Sequence, residues 1–291
     1  LRMNRVAVTG LGIISPIGND VASFWNSLKT GVCGIGSITK FDTSEHKVKI
    51  AAEVKNFDPL KYMEKSDALH SDEYTQYAVA AVNQAMEDSG VYGMVAPERI
   101  GVYFGTGIGG INTTITEYKK LIEKGPRRVS PYFVPMMIAN MASGMIAIRY
   151  GCKGAVMPAV TACASGGNAI GEAMRMIRHG YADVMITGGA EAAVNELALA
   201  GFANMQALSN STDPLEASLP FDARRKGFVM GEGAGALILE NYEHAKARGA
   251  HIYAEVCGYG STCDAYHITA PDPDAKGGAR AIFDAWSEAG V

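Results

Sequence analysis

Short apolar runs bounded by glycine alternate along the chain with longer stretches whose apolar positions recur every three or four residues. RVAVTG is followed by VASFWNSLKTG, RIGVYFGTG by INTTITEYKKLIEKG, MPAVTA by SGGNAIGEAMRMIRHG, and DVMITGG by NELALAGF. The first member of each pair has the length and residue types of a buried strand, and the second has the period of a helix with one apolar face. That order predicts a layered α/β fold, with helices packed on a mixed or parallel sheet. A further strand, GAGALILE, precedes a short helix over EHAKARG. The pattern then restarts, with a strand over HIYAEVCGYG and a helix over AKGGARAIFDAWSEAGV. This last helix has no strand after it to cover, so the sequence reads as a truncated α/β repeat with its seam near Gly249. Residues 1–249 are expected to form one half and residues 250–291 the opening of a second.

Composition narrows what such a fold does. With 291 residues, 48% of them hydrophobic and 19% charged, the chain can bury a large core, which excludes a disordered protein. A net charge of -4 argues against a nucleic-acid binder, which carries a basic field over one face. No apolar run has the length of a membrane span, and LRMNRVAVTG has no signal-peptide core; Met3 is read as the natural start, with Leu1 and Arg2 as additions. The five cysteines, Cys33, Cys152, Cys163, Cys257 and Cys263, are odd in number and without CxxC spacing. They point to no disulfide framework, no zinc site and a reducing cytoplasm.

Two kinds of motif compete for the chemistry. GTGIGG, Gly105–Gly110, fits a dinucleotide fingerprint after a strand, but no second strand ending in an acidic residue follows it. GLGIISPIG and GEGAG read as tight turns and close backbone approaches, and there is no GxxxxGK[ST]. Within VTACASGGNAIG, by contrast, Cys163 stands where an extended run turns into a helix opened by Ser165, Gly166 and Gly167. A thiol there lies near the positive end of the helix dipole, which favours the thiolate, and the flanking small residues let a carbonyl approach the backbone. This is the strand–turn–helix logic of a nucleophile elbow, carried by cysteine. The other cysteines have weaker surroundings: Cys33 in a glycine-rich loop, Cys152 after a helix, Cys257 in the middle of a strand as core, and Cys263 in a loop beside Asp264 and His267.

The segments VTACASGGNAIGEAMRMIRHGYADVMITGGAEA, LPFDARRKGFVMGEGAGALILE and DAYHITAPDP resemble the beta-ketoacyl-[acyl-carrier-protein] synthases of the type II elongating class, and the similarity runs from Arg5 to the last residue. The resemblance implies a thiolase-like layered αβαβα fold, with the N-terminal half complete and the C-terminal half truncated. It further implies an acyltransferase in which Cys163 accepts an acyl chain from acyl carrier protein as a thioester. Malonyl carrier protein then loses carbon dioxide, and its carbanion lengthens the chain by two carbons. A soft thiolate suits acyl exchange between thioesters, because nucleophile and leaving group are the same chemical type.

By the same resemblance, Ile108 closes the acyl pocket, Phe202 swings near the nucleophile, and Thr269 lies on the pantetheine approach beside His267. Phe133 reaches a neighbouring subunit's pocket, which implies a homodimer. Lys65, Arg127 and Arg128 meet the acidic carrier protein, while Ala68, Leu69 and Gln206 stand where basic residues are usual. No cofactor is implied. The family's two catalytic histidines, in NAHGT-like and GHxxGAAG-like motifs, have no counterpart among His46, His70, His179, His244, His251 and His267. Two alternatives stay open: a thiolase-type acyltransferase using acyl-CoA, and a catalytically silent acyl-binding or dimerisation fragment.

Overall fold

A computed structural model describes residues 3–291; Leu1 and Arg2, read above as additions, lie outside the described residues. In chain order the elements are β1 (Val6–Ile14), α1 (Val21–Lys29), the short pair β2 (Gly36–Ser37) and β3 (Ile50–Ala51), α2 (Lys65–Leu69) and α3 (Glu73–Ser89). There follow β4 (Ile100–Gly105), α4 (Ile111–Lys124), α5 (Phe133–Met137), α6 (Met141–Tyr150), β5 (Val156–Ala159) and α7 (Ser165–Arg178). The chain closes with β6 (Val184–Glu191), α8 (Glu196–Asn204), β7 (Gly233–Asn241), α9 (Tyr242–Ala247), β8 (Ala254–Glu255) and α10 (Lys276–Ala289).

Six strands form one mixed sheet in the order β5-β4-β6-β7-β1-β8. β5, β4 and β6 are parallel, whereas β7 runs antiparallel to both β6 and β1, and β8 antiparallel to β1. The inner strands are buried on both faces, and their side chains alternate between two cores. Val184 and Ile186 of β6 join α3 and α6 on one side, while Met185 joins Ala173, Met174 and Ile177 of α7 on the other. The result is a three-layer α/β/α unit with α7 on one face of the sheet and α3 on the other.

Every strand–helix pair in the hydrophobic pattern is present, but two features differ from the expectation. α3 was not legible from the pattern, although eleven of its residues are buried, including Tyr74, Tyr77 and Val82. Its buried face is broad and largely alanine, with Gln76, Asn83, Glu87 and Asp88 on the other side, so the apolar stripe is weak rather than sharp. Its ends are nonetheless marked: the Asp72 carboxylate accepts the Tyr74 N–H, and Gly90 closes the helix in the left-handed conformation. The strand expected over HIYAEVCGYG shrinks to Ala254–Glu255 paired with Ala7 and Val8. Beyond it the chain leaves the sheet edge to run under α10, where a Cβ on Gly260 would meet the Ala281 carbonyl oxygen at 1.8 Å. Cys257, expected in a strand core, is therefore exposed.

One buried ion cluster ties the layers together. Glu240 of β7 has a fully buried side chain; it accepts two 2.7 Å hydrogen bonds from Arg248, one at 2.5 Å from His244 and one at 3.0 Å from Thr9 of β1. Arg248 also donates to the Ser89 carbonyl at the end of α3. Burial pushes the Glu240 carboxyl up, but the Arg248 and His244 hydrogen bonds outweigh it and hold it below the ordinary range. A carboxyl lowered in the fold stabilises above its unfolded value, near pH 4.3, and loses that contribution as pH falls. Arg248→Met should therefore lower unfolding free energy in urea at neutral pH by about 3–5 kcal/mol, because it strands a buried charge. The variant should also lose less stability than the parent chain on acidification below about pH 4, where the parent gives up this contribution.

Candidate active site

The nucleophile's position is set by backbone packing. β4 and β5 pair with Gly105 opposite Ala159, and β4 and β6 with Gly105 opposite Gly189, so three parallel strands end together. A Cβ on Gly105 would lie 2.4 Å from the Ser165 backbone, so only glycine there lets the first turn of α7 rest directly on the strand. From Ala159 the chain must then reach the helix in a few residues, and it does so through a single 3-10 turn over Ala162–Ala164. Ala162 adopts a left-handed φ of 52°, which costs about 1–2 kcal/mol for a residue with a Cβ. Ser165 clamps the turn: its hydroxyl accepts the Thr161 N–H at 2.8 Å and donates to the Ala162 carbonyl at 2.6 Å.

Cys163 sits at the apex of this elbow and is exposed. Its own backbone N–H donates to no carbonyl among the described residues, which leaves a donor beside the thiol for a developing oxyanion. The side chain opens into a mainly apolar cavity of about 940 Å³, also lined by Ile108, Phe202, Phe228 and Glu191. Phe202 of α8 meets Phe228 edge to face at 5.5 Å. The sequence reading named Ile108 and Phe202 but missed Phe228 and Glu191. Phe228 lies inside the glycine-rich FVMGEGAG stretch, and Glu191 is a lone acid at the end of an apolar strand.

The GTGIGG loop is closed to phosphate by a resident anion. Glu191, at the end of β6, accepts the Gly107 N–H at 2.7 Å and the Ile108 N–H at 3.2 Å, and its other oxygen lies 3.1 Å from the Thr106 hydroxyl. Burial pushes the Glu191 carboxyl above its ordinary range, against the lowering pull of these hydrogen bonds. The amides that a dinucleotide would need are thus already in use.

The remaining residues of interest lie elsewhere. Phe133 is half-buried at the start of α5, and neither it nor Thr269 lines the cavity. The N–H groups of Thr269 and Ala270 each donate to His267 Nδ1 at 3.1 Å. His70 stacks on Tyr132 and His244 binds Glu240, while His46 and His251 pack against Phe41 and Tyr253. His179 caps the far end of α7 from Cys163. Arg127 and Arg128 line a surface depression of about 320 Å³ with Lys120 and Lys124. The His70–Tyr132 stack, 3.7 Å between centroids, ties the end of α2, which carries Lys65, to the segment just after them. Ala68 is half-buried against the core, whereas Leu69 and Gln206 are exposed.

Iodoacetamide at neutral pH should alkylate Cys163 faster than the other four cysteines, and Cys152 slowest, as followed by peptide mapping. Cys152 is buried, and burial pushes its thiol up to about 11. Equal labelling of Cys33 and Cys163 would count against a specialised thiol.

Comparison with known proteins agrees with this geometry. Residues 3–245 match the family model for the beta-ketoacyl synthase N-terminal domain. The chain is 50% identical over 288 residues to 3-oxoacyl-[acyl-carrier-protein] synthase 2 of Staphylococcus aureus (strain COL), spanning 99% of this chain and 70% of that protein. Among solved structures, the ishigamide ketosynthase/chain length factor superposes with a TM-score of 0.91 at 37% identity, over 99% of this chain and 70% of that one. A type II PKS acyl-carrier protein in complex with its ketosynthase bound to the hexaketide gives 0.86 at 33% identity, over 99% and 71%. With a thiolase-like layered fold, a cysteine elbow at the ends of three parallel strands and a family match over most of its length, the chain belongs to the beta-ketoacyl synthases.

Proposed function

We propose that this chain carries the acyl-accepting half of a fatty-acid-elongating condensing enzyme. The observation that carries the reading is the exposed Cys163 thiol on a strained elbow, with a free backbone N–H beside it and an apolar cavity in front. In the first step the Cys163 sulfur attacks the carbonyl carbon of an acyl thioester. The resulting oxyanion is stabilised by the Cys163 N–H, and collapse expels the carrier thiol with the proton that Cys163 gave up. The acyl tail then lies along Ile108 and Phe202. In the second step malonyl thioester loses carbon dioxide, and the carbanion carbon bonds to the acyl carbon, releasing Cys163.

The donor is acyl carrier protein. The curated Staphylococcus relative is named for that carrier, and a related ketosynthase has been solved in complex with one. Arg127 and Arg128, which form no ion pair among the described residues, and Lys65 offer an acidic carrier a basic surface, with exposed Leu69 an apolar contact within it. A homodimer is also part of the reading. β5 ends the sheet with one edge unpaired, and Val156, Met157 and Val160 are exposed there, with Ile148 and Val134 on α6 and α5. A second copy pairing at that edge would bring Phe133 toward its neighbour. Residues 1–249 would form the nucleophile half and residues 250–291 the start of the next, in a reducing cytoplasm that keeps Cys163 a thiol. An acyl-CoA acyltransferase is the competing reading; acylation of Cys163 by acyl-CoA but not by acyl carrier protein would favour it.

The two chemical steps should separate in these 291 residues. Acyl transfer needs the thiol and one oxyanion donor, which are present. Decarboxylation also needs polarising groups, and the histidines described above are engaged away from the cavity. Intact mass should show an acyl adduct on Cys163, while carbon dioxide release from malonyl carrier protein should stay near background, each missing donor costing about a hundredfold or more. Robust decarboxylation by this chain would place the acid–base groups within it, with His267 the first to test.

Ile108→Phe should exclude long acyl chains from Cys163 while sparing short ones, since overfilling a packed slot costs about 1–3 kcal/mol. Acylation with a ladder of chain lengths, read by mass, checks this. An unchanged length profile would remove Ile108 from the acyl path.

A further inference from the structure

Four consecutive residues at the mouth of the Cys163 cavity depend on one side chain. Glu191 receives the Gly107 and Ile108 N–H groups on one oxygen and the Thr106 hydroxyl on the other, and Thr106 in turn accepts the Gly109 N–H at 3.1 Å. No Lys, Arg or His pairs with this carboxylate among the described residues, so the loop supplies its neutralising donors and the carboxylate supplies the loop's acceptors. On the other side the loop is backed by α5 and the turn after it, with Gly109 against Ala139 and Gly110 against Met136 and Met137. The loop is anchored at its ends by Thr106 N–H to Ala159 of β5 and Gly110 N–H to Met137, and Ile108, 42% exposed, projects from the span between, whose N–H groups are held by Glu191 and Thr106.

We propose that Glu191 is the positioning residue for chain-length discrimination at Cys163: its carboxylate holds the Thr106–Gly109 loop so that Ile108 closes the cavity to long tails. This rests on the reading of the cavity as an acyl slot. Without the carboxylate, two N–H groups and a hydroxyl lose their acceptor, the loop relaxes toward solvent, and Ile108 withdraws. Glutamine keeps one oxygen for both N–H groups and can donate its NH₂ to Thr106, so Glu191→Gln should preserve the arrangement where Glu191→Ala destroys it. Gly107→Ala provides an independent perturbation. A Cβ there would meet Glu191 Oε2 at 2.7 Å, with its next contact at 3.6 Å, so it displaces the carboxylate without removing it.

The test uses N-alkylmaleimides with tails from ethyl to dodecyl, which report access to Cys163 without requiring acyl transfer. The ratio of dodecyl to ethyl rate constants is measured alongside hydrogen exchange at Gly107 and Ile108. In Glu191→Ala and Gly107→Ala the ratio should rise about tenfold, the weight of one charge-assisted hydrogen bond, with exchange protection lost at both amides. Glu191→Gln should keep protection and stay within about twofold of the parent ratio. If Glu191→Ala does not fold, Gly107→Ala decides alone. Retained protection in the perturbed variants, lost protection with an unchanged ratio, or ethyl and dodecyl rates falling together would each overturn the proposal. Failure of Cys163 to accept acyl groups would instead count against the proposed function and leave the maleimide ratios readable.

Discussion

The site depends on how closely the first turn of α7 approaches the ends of β4 and β6. Gly105 and Gly189 leave no side chain between strand and helix, and a Cβ on Gly189 would lie 3.0 Å from the Gly166 Cα. With the helix seated there, the chain leaving β5 has only the 3-10 turn in which to rise, turn and enter α7. Ala162 is driven into the left-handed region, and Cys163 is lifted above the strand ends with its N–H unpaired among the described residues. Strain stored at such a turn persists because the surrounding packing over-determines it, here through Ser165 and the sheet beneath. A bulkier residue at Gly105 would move the helix, and with it the thiol, away from the cavity.

Three carboxylates around this sheet, Glu240, Glu232 and half-buried Glu191, are compensated differently, and the differences follow their roles. Glu240 is matched by Arg248 and His244 and joins β7 to α9 and α3. Glu232 has a fully buried side chain and faces the cavity; burial raises its carboxyl, and Lys40 reaches it at 2.7 Å while also binding Glu73. Glu191 is satisfied by backbone N–H groups and a hydroxyl, so its charge is spent on the conformation of one loop. Glu240 links elements that are already hydrogen-bonded as sheet and helix, whereas Glu232 pairs with Lys40 in the loop between β2 and β3. The third fixes a segment with little regular structure of its own, which is where a local carboxylate has most effect on shape.

Burial of the sheet on both faces ends at β5. Val156, Met157 and Pro158 are exposed on an edge strand whose outer side pairs with no other strand among the described residues, and exposed Ile148 lies on the helix before it. Edge strands are sites of further strand pairing, and this one carries neither lysine nor a bulge, with Pro158, which has no N–H to donate, as its one blunting residue. The opposite edge is occupied by β8, and α10 beyond it exposes Ile282, Phe283 and Trp286.

By itself the sequence determined the alternation of strands and helices, because a buried strand and an amphipathic helix differ in period over a handful of residues. It also determined Cys163 as the thiol at a strand–helix junction, since apolar run, small residues and helical period are contiguous there. α3 escaped because its buried face is built largely of alanine, which contrasts only weakly with the polar face of Gln76, Asn83, Glu87 and Asp88. The shortness of β8 and the exposure of Cys257 were decided by the chain turning under α10, which no local pattern records. Glu191 reaches its loop across 84 residues of sequence, and the Cys163 N–H is free only because the packing of α7 dictates the turn. Local periodicity is written in neighbouring residues. The acceptor for an N–H, and the residue that aims Ile108, are set only once strands far apart in sequence lie side by side.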